Sequence, residues 1–335
     1  MRRTIDGRRA FAVGLFSTLM LSLVWVRSEP WTVPAAEVRE MPVTVDLPAE
    51  RDGFVREGVW HLDSPGMMFG GYSAMLTIGE HELLLFSDRG SSLTFPLPGT
   101  RLPPDHPRRA SFSNVWDIGP FSDKFPDIES ATRHPETRDY WLGFENFNAV
   151  VRYDLTGRFI AARQPPEMRH WPVNGGLEAM TRLADGRFLL LPESRLRGLL
   201  FDGDPVEEGA TARAFRFALP EPYYATGMVL LPDGRVLVLG RGLRWGWLPF
   251  TARLFVGDPA QIGEQDPWQL HEVLDLDAII PRENWEALAV TPLDDGSIRI
   301  WIASDDNFAA LQRTLLAQLH WTPPPAESGI AQDGQ

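Results

Sequence analysis

Asn174-Gly175-Gly176-Leu177-Glu178-Ala179-Met180, then Asp185-Gly186, then Phe188-Leu189-Leu190-Leu191-Pro192-Glu193, is the stretch that decides the fold. Asp-Gly joins two apolar runs, and its glycine accepts the positive φ that a tight hairpin turn requires. The runs are nearly continuous rather than alternating, which predicts strands buried on both faces. A carboxylate stands near the start of the first strand and another closes the second.

The same pattern recurs on either side. Upstream are Gly70-Gly71-Tyr72-Ser73-Ala74-Met75 with Leu83-Leu84-Leu85-Phe86 and Ser87-Asp88-Arg89-Gly90, and Asp127-Ile128-Glu129-Ser130-Ala131 with Tyr140–Asn146. Downstream are Thr226–Leu231 with Asp233-Gly234 and Val236–Arg241, and Asn284–Val290 with Asp295-Gly296, Ile298–Ala303 and Ser304-Asp305-Asp306-Asn307-Phe308. Taken at Ser73, Glu129, Glu178, Gly227 and Glu286, the starts lie 56, 49, 49 and 59 residues apart. A period near fifty residues is that of propeller blades. The stretches between copies hold two more strands each, such as Ala149–Asp154 with Arg158–Arg163. The expected fold is therefore all-β: a β-propeller of five four-stranded blades, with a degenerate sixth left open. Leu315–Trp321 and Phe54–Leu62 are placed to complete the last blade together, leaving no long exposed edge.

Hydrophobic residues make up 44% of the 335-residue chain and charged residues 23%, an ordinary globular balance. The net charge of −13 argues against nucleic acid as a partner, because that needs a basic surface. With no cysteine, thiolate metal sites, disulfides and cysteine nucleophiles are excluded. Arg2, Arg3, Arg8 and Arg9 precede an apolar run from Ala10 to Val26, the layout of an export signal. The expected organisation is an export signal or membrane anchor over 1–36, the propeller over 37–322, and a flexible tail over 323–335. A periplasmic or secreted monomer follows, touching a membrane only through its N-terminal segment.

In a propeller the innermost strand of each blade lines a central tunnel, so equivalent residues form rings around the axis. The position opening the first strand holds Ser73, Glu129, Glu178, Gly227 and Glu286, and the position closing the second holds Asp88, Glu145, Glu193, Arg241 and Asp305. Three glutamates near one axis cannot all ionise without a counter-charge. A hard cation such as Ca²⁺ would take their oxygens directly, and Arg89 and Arg241 are the candidate protein partners. The expected catalytic set is thus Glu129, Glu178, Glu286, Arg89 and Arg241, with Asp88, Glu145, Glu193, Asp305 and Asn307 as metal ligands. A plainer role stands beside this one: such carboxylates also cap backbone N–H groups of a neighbouring blade, and Asp-Asn runs build turns. Other chemistries fail. His81-Glu82 and His271-Glu272 each lack the second histidine of a zinc-protease helix, and no glycine-rich phosphate loop occurs. Trp245 and Trp247 are loop residues that could line a ligand funnel.

The repeated Gly70–Ser73, Ser87–Gly90, Asp127–Ala131, Asn174–Ala179, Asn284–Ala289 and Ser304–Phe308 motifs resemble the bacterial phytase-like family, exported propellers with esterase-like activity, over about residues 65–322. The resemblance implies a propeller, export, and hydrolysis of phosphate or carboxylic esters. The chain departs from the family at Tyr72 and Ala74-Met75, where the family reads Gly-Leu-Ser-Gly-Leu, and at Gly227, where an acidic residue would complete the ring. Three functions follow as expectations. One is a metal-assisted hydrolase of a small-molecule ester; the second is a non-catalytic propeller that binds a small molecule, glycan or protein partner; the third is a scaffold tethered to the membrane by a retained segment 10–26.

Overall fold

The computed structural model describes residues 38–66, 68–79, 81–98, 110–194, 197–245, 249–263 and 265–325. The expected export segment at 1–36, Trp247 and most of the expected tail lie outside them. Among the described residues the regular structure is strand and short 3-10 turn only, and no helix is long and apolar enough to cross a membrane.

Five antiparallel sheets form five blades, and among the described residues there is no sixth. Blade 1 runs Tyr72–Ile78, Glu82–Ser87, Ser91–Pro96 and Ser111–Asn114; blade 2 runs Ile128–Arg133, Tyr140–Phe144, Ala149–Tyr153 and Phe159–Arg163. Blade 3 comprises Leu177–Arg182, Phe188–Pro192, Gly198–Phe201 and Ala212–Phe215, and blade 4 comprises Tyr224–Leu230, Val236–Leu243, Phe250–Gly257 and His271–Asp275. Blade 5 takes Trp285–Pro292, Ile298–Ser304 and Leu315–Trp321 from the end of the chain and Phe54–Asp63 from its start. Leu315 pairs with His61 and Trp321 with Phe54, so the ring is closed by hydrogen bonds between the two ends of the domain. Arg39–Pro42 and Glu50–Arg51 add to the outside of that strand.

The sequence dictates this locally. Asp185, Asp233 and Asp295 each accept a hydrogen bond from the backbone N–H two residues on, at 3.1, 3.0 and 2.9 Å. The following Gly186, Gly234 and Gly296 take φ of 92°, 87° and 83°. The aspartate closes the turn and the glycine supplies its left-handed step. Each inner strand touches the next, and the last touches the first. Five apolar clusters fill the five gaps between blades, for example Leu142, Phe144 and Val151 of blade 2 against Ala74, Leu76 and Phe86 of blade 1. Burying one such side chain contributes about 1.5–3 kcal/mol, and closing the ring multiplies that over every face.

All five inner strands carry a β-bulge near their start. The residue left out of register is Ser73, Glu129, Glu178, Thr226 or Glu286. A bulge places one extra residue in the strand and re-aims its side chain. The fourth position of the ring is therefore Thr226, which corrects the sequence expectation of Gly227. Gly227 instead lets two blades meet: a Cβ built there would sit 2.7 Å from the Glu286 carbonyl oxygen and 3.1 Å from the Leu288 Cβ. Blade 5 can approach blade 4 this closely only over a glycine. Gly227→Ala should destabilise the protein by about 1–3 kcal/mol through overpacking, read as a lowered denaturant midpoint with an unchanged slope. An unchanged midpoint would show that the blades have slack there.

Candidate functional site

The bulges bring carboxylates together at the end of the tunnel where the inner strands begin. Ser73, Glu129, Thr226 and Glu286 line a cavity of about 10 Å³ on the axis, room for about one water molecule. Met75, Met180 and Met228 lie just below and narrow it. Glu178 is 7% exposed and Glu286 8%, while Glu129 is half-buried. The second ring also takes shape. The backbone N–H groups of Asp88, Glu145, Glu193 and Asp305 donate to the carbonyls of Gly71, Asp127, Gly176 and Asn284, and Arg241 pairs with Tyr224. These five residues therefore occupy one equivalent position at the strand ends.

The charge is offset unevenly. Arg241 pairs with Glu193, and its Nη1 lies 2.9 Å from Glu286 Oε1 and donates to Asn284 Oδ1 at 2.8 Å. Asn284 Nδ2 in turn donates to Glu286 Oε1 at 2.9 Å and to Asp305 Oδ2 at 3.4 Å. Burial works against the Arg241 charge, yet Glu286, Glu193 and Glu178 outweigh it and hold the guanidinium firmly protonated. Arg241 is thus a structural counter-ion for blades 3 to 5. Arg89 differs: it is exposed and lies over the Phe308 ring at 3.4 Å from the centroid, a cation–π contact that leaves the edge of the guanidinium facing solvent.

On the blade 2 side, among the described residues, no arginine pairs with these carboxylates. Oxygens of Asp127, Glu129 and Glu145 all lie within 4.8 Å of one another, the tightest grouping of ligand-type side chains among the described residues. Burial first, then Glu178, Glu286, Asp127 and Glu145, raises Glu129 well above the usual carboxylate range. Glu178 is raised likewise by burial and then by Glu193 and Glu145. Burial pushes Asp127 up to about 6 and Asp88 up to about 7. Asp305 is raised well above its ordinary value, by burial and then by Glu286 and Asp88. Two groups poised near neutrality beside a charged cluster form an arrangement suited to moving protons.

Several of these carboxylates also hold the blades. Glu145 Oε1 accepts the Gly175 N–H, and the Gly176 N–H at 3.0 Å, bridging blade 2 to the loop before blade 3. Asp306 accepts the Gly71 and Phe308 N–H groups, each at 3.0 Å, linking blade 5 to blade 1. Asp305 accepts the Asn307 N–H at 2.7 Å. Asn307 stands apart from the cluster: it is an exposed turn residue, φ 48°, whose amide donates to Gln312 at 2.9 Å. Sequence reasoning missed Asp127, Asn284 and Thr226. Asp127 and Asn284 each stand two residues before a ring glutamate, a polar spacing that repeats and could have been read. In the tunnel wall the Ser73 hydroxyl, on a residue 2% exposed, has no hydrogen bond within the protein.

Around the mouth a cavity of about 530 Å³ opens beside Arg241 and Glu193, walled by Pro222, Tyr224, Leu243 and Phe250. Fold and mouth together define a five-bladed propeller whose tunnel opens at one end through a ring of carboxylates. The chain belongs to the phytase-like family: the family model described as "esterase-like activity of phytase" matches residues 67–308. No curated protein shows significant sequence similarity to it. Among solved structures, a luciferin-regenerating enzyme is similar at 11% identity and TM-score 0.45, covering 80% of this chain and 87% of its own. The PQQ-bound aldose sugar dehydrogenase of Streptomyces coelicolor is similar at 14% and 0.43, covering 86% and 100%. The calcium-binding protein regucalcin of Agrobacterium tumefaciens is similar at 12% and 0.44, covering 87% and 93%. At these values none of them carries substrate or chemistry over to this chain.

Proposed function

We propose that the protein is an exported hydrolase that cleaves a phosphate or carboxylic ester at the acidic tunnel mouth with the help of a hard divalent cation. The observation that carries this reading is the convergence of Asp127, Glu129 and Glu145 within 4.8 Å. The donor set fits Ca²⁺, since every ligand is a carboxylate oxygen and no imidazole or thiolate takes part. The unpartnered Ser73 hydroxyl in the same tunnel end fits a further polar occupant there. When bound, such a cation supplies charge neutralisation at the ester oxygen and lowers the pKa of water.

The chain's own residues do the rest. Arg89, held flat by Phe308, has N–H groups free to hold an oxyanion of the substrate. Asp88, its neighbour, titrates at about 7 and can hold the proton that passes to the leaving oxygen. Arg241 keeps Glu193 and Glu286 in place, and the cavity beside it receives the apolar part of the substrate. The N-terminal basic-apolar segment would deliver the protein across the inner membrane.

A panel of phosphate and carboxylic esters, assayed with Ca²⁺ and with a chelator, tests this. Turnover should vanish with the chelator, and Asp127→Asn should no longer respond to added Ca²⁺. Asp88→Asn should lower kcat by about 10²–10⁴-fold while leaving KM near its original value, as loss of a general acid does. Ca²⁺ binding without turnover of any ester would leave a binding propeller instead.

A further inference from the structure

The tunnel has a second mouth, where the inner strands end, and its chemistry is the reverse of the first. A cavity of about 360 Å³ opens there, within the size range of small-ligand pockets, and all five blades contribute to it. Its wall is largely apolar: Met75, Leu183, Met228, Val229 and Leu288 among others. The chain carries a net charge of −13, yet not one residue lining this cavity is acidic. Two are arginines on adjacent blades, Arg133 and Arg182.

These arginines stand on neighbouring strand ends and both line the cavity. The Arg182 backbone N–H donates to Thr132 Oγ1 at 3.0 Å, which sets the two strand ends side by side. Arg133 Nη1 donates to the Thr77 carbonyl, and Arg182 Nη1 to the Leu183 carbonyl at 3.3 Å. Neither guanidinium has an ion-pair partner among the described residues, and most of their N–H donors remain unused. Burial and the neighbouring Arg138 both disfavour the Arg133 charge. A half-buried cation beside an apolar hollow, with no carboxylate to match it, is an unfavourable arrangement unless an anion arrives from outside. A forked guanidinium binds a carboxylate or phosphate with two parallel hydrogen bonds.

We infer that this second mouth binds a small amphiphilic anion, with its oxyanion on Arg133 and Arg182 and its hydrocarbon body in the apolar hollow between the blades. The site faces the opposite end of the tunnel from the acidic ring, with Met75 and Met228 lining both cavities. It stands whether or not the acidic mouth hydrolyses esters.

Octanoate titrated calorimetrically into the full chain tests the inference. Wild type should bind one octanoate saturably and octylammonium not at all. Arg182→Gln should weaken octanoate by at least about tenfold, and Ala184→Trp, at an exposed lining position, should block it. Asp127→Asn at the other end should leave it unchanged. The Arg182 guanidinium bonds only within its own turn, so its substitution decides the matter even if Arg133→Gln fails to fold. Octanoate binding that is absent, that survives both Arg182→Gln and Ala184→Trp, or that is matched by octylammonium would overturn the site.

Discussion

Arg241→Met should destabilise the protein by about 3–5 kcal/mol, the range expected when one partner of a buried ion pair is removed and the other is left uncompensated. The cause is specific. Arg241 is the half-buried cation that meets Glu193 and Glu286 together, and through Asn284 it also orders Asp305. Methionine keeps the length of the side chain but leaves those carboxylates facing one another in a desolvated mouth. The loss should shrink as pH falls, since Glu286, raised by burial, no longer needs the counter-charge once protonated. Denaturant unfolding of wild type and variant at about pH 5 and about pH 8 measures it. A deficit equal at both pH values would mean that the guanidinium acts through packing alone. The double variant Arg241→Met with Glu286→Gln should recover part of the loss, because it removes the group left unpaired.

Much of this architecture was legible because its signals are local. Asp185-Gly186, Asp233-Gly234 and Asp295-Gly296 write their turns directly, and continuous runs such as Phe188–Pro192 declare strands covered on both faces. Ring closure by Phe54–Asp63 was also readable, since a strand-like run at each end of a repeat array needs a partner. The bulge was not. It inserts one residue without any composition of its own, so the fourth ring position falls on Thr226 rather than the Gly227 that a constant motif suggests. The division of labour among the carboxylates was equally hidden. Glu145 and Glu193 occupy equivalent positions, yet one bridges backbone N–H groups and the other meets an arginine from the next blade. That difference depends on what the neighbouring blade presents, which no single repeat records. Asn307 looked like a ligand because it follows two aspartates, but its left-handed backbone turns it outward.

Without added cation, the thermal midpoint should fall as pH rises from about 5 to about 8, and Ca²⁺ should reverse the fall. Burial raises Asp88 to about 7 and Asp127 to about 6, while in the unfolded chain both return to the ordinary aspartate value near 4. Between those limits the native protein holds protons that the unfolded chain has released, so stability must decrease with rising pH. The contribution is fully present below the unfolded value and is gone once pH passes about 7. The aspartates with lowered pKa, Asp154, Asp185, Asp202 and Asp295, act in the opposite sense but only as pH drops below the ordinary aspartate value. They leave the neutral window untouched. A cation held by Asp127, Glu129 and Glu145 replaces the missing protons, so its benefit should grow with pH. At a hundredfold excess over its Kd it contributes about 2.7 kcal/mol, which for a domain of this size is a shift of about 4–5 °C. Differential scanning calorimetry across pH, with Ca²⁺, Mg²⁺ and chelator, reads all of these at once. In Asp127→Asn the Ca²⁺ shift should disappear and the fall with pH should flatten. A midpoint that rises through this range, or one indifferent to Ca²⁺ at about pH 8, would mean that the carboxylates at the mouth are neither as desolvated nor as close as their geometry implies.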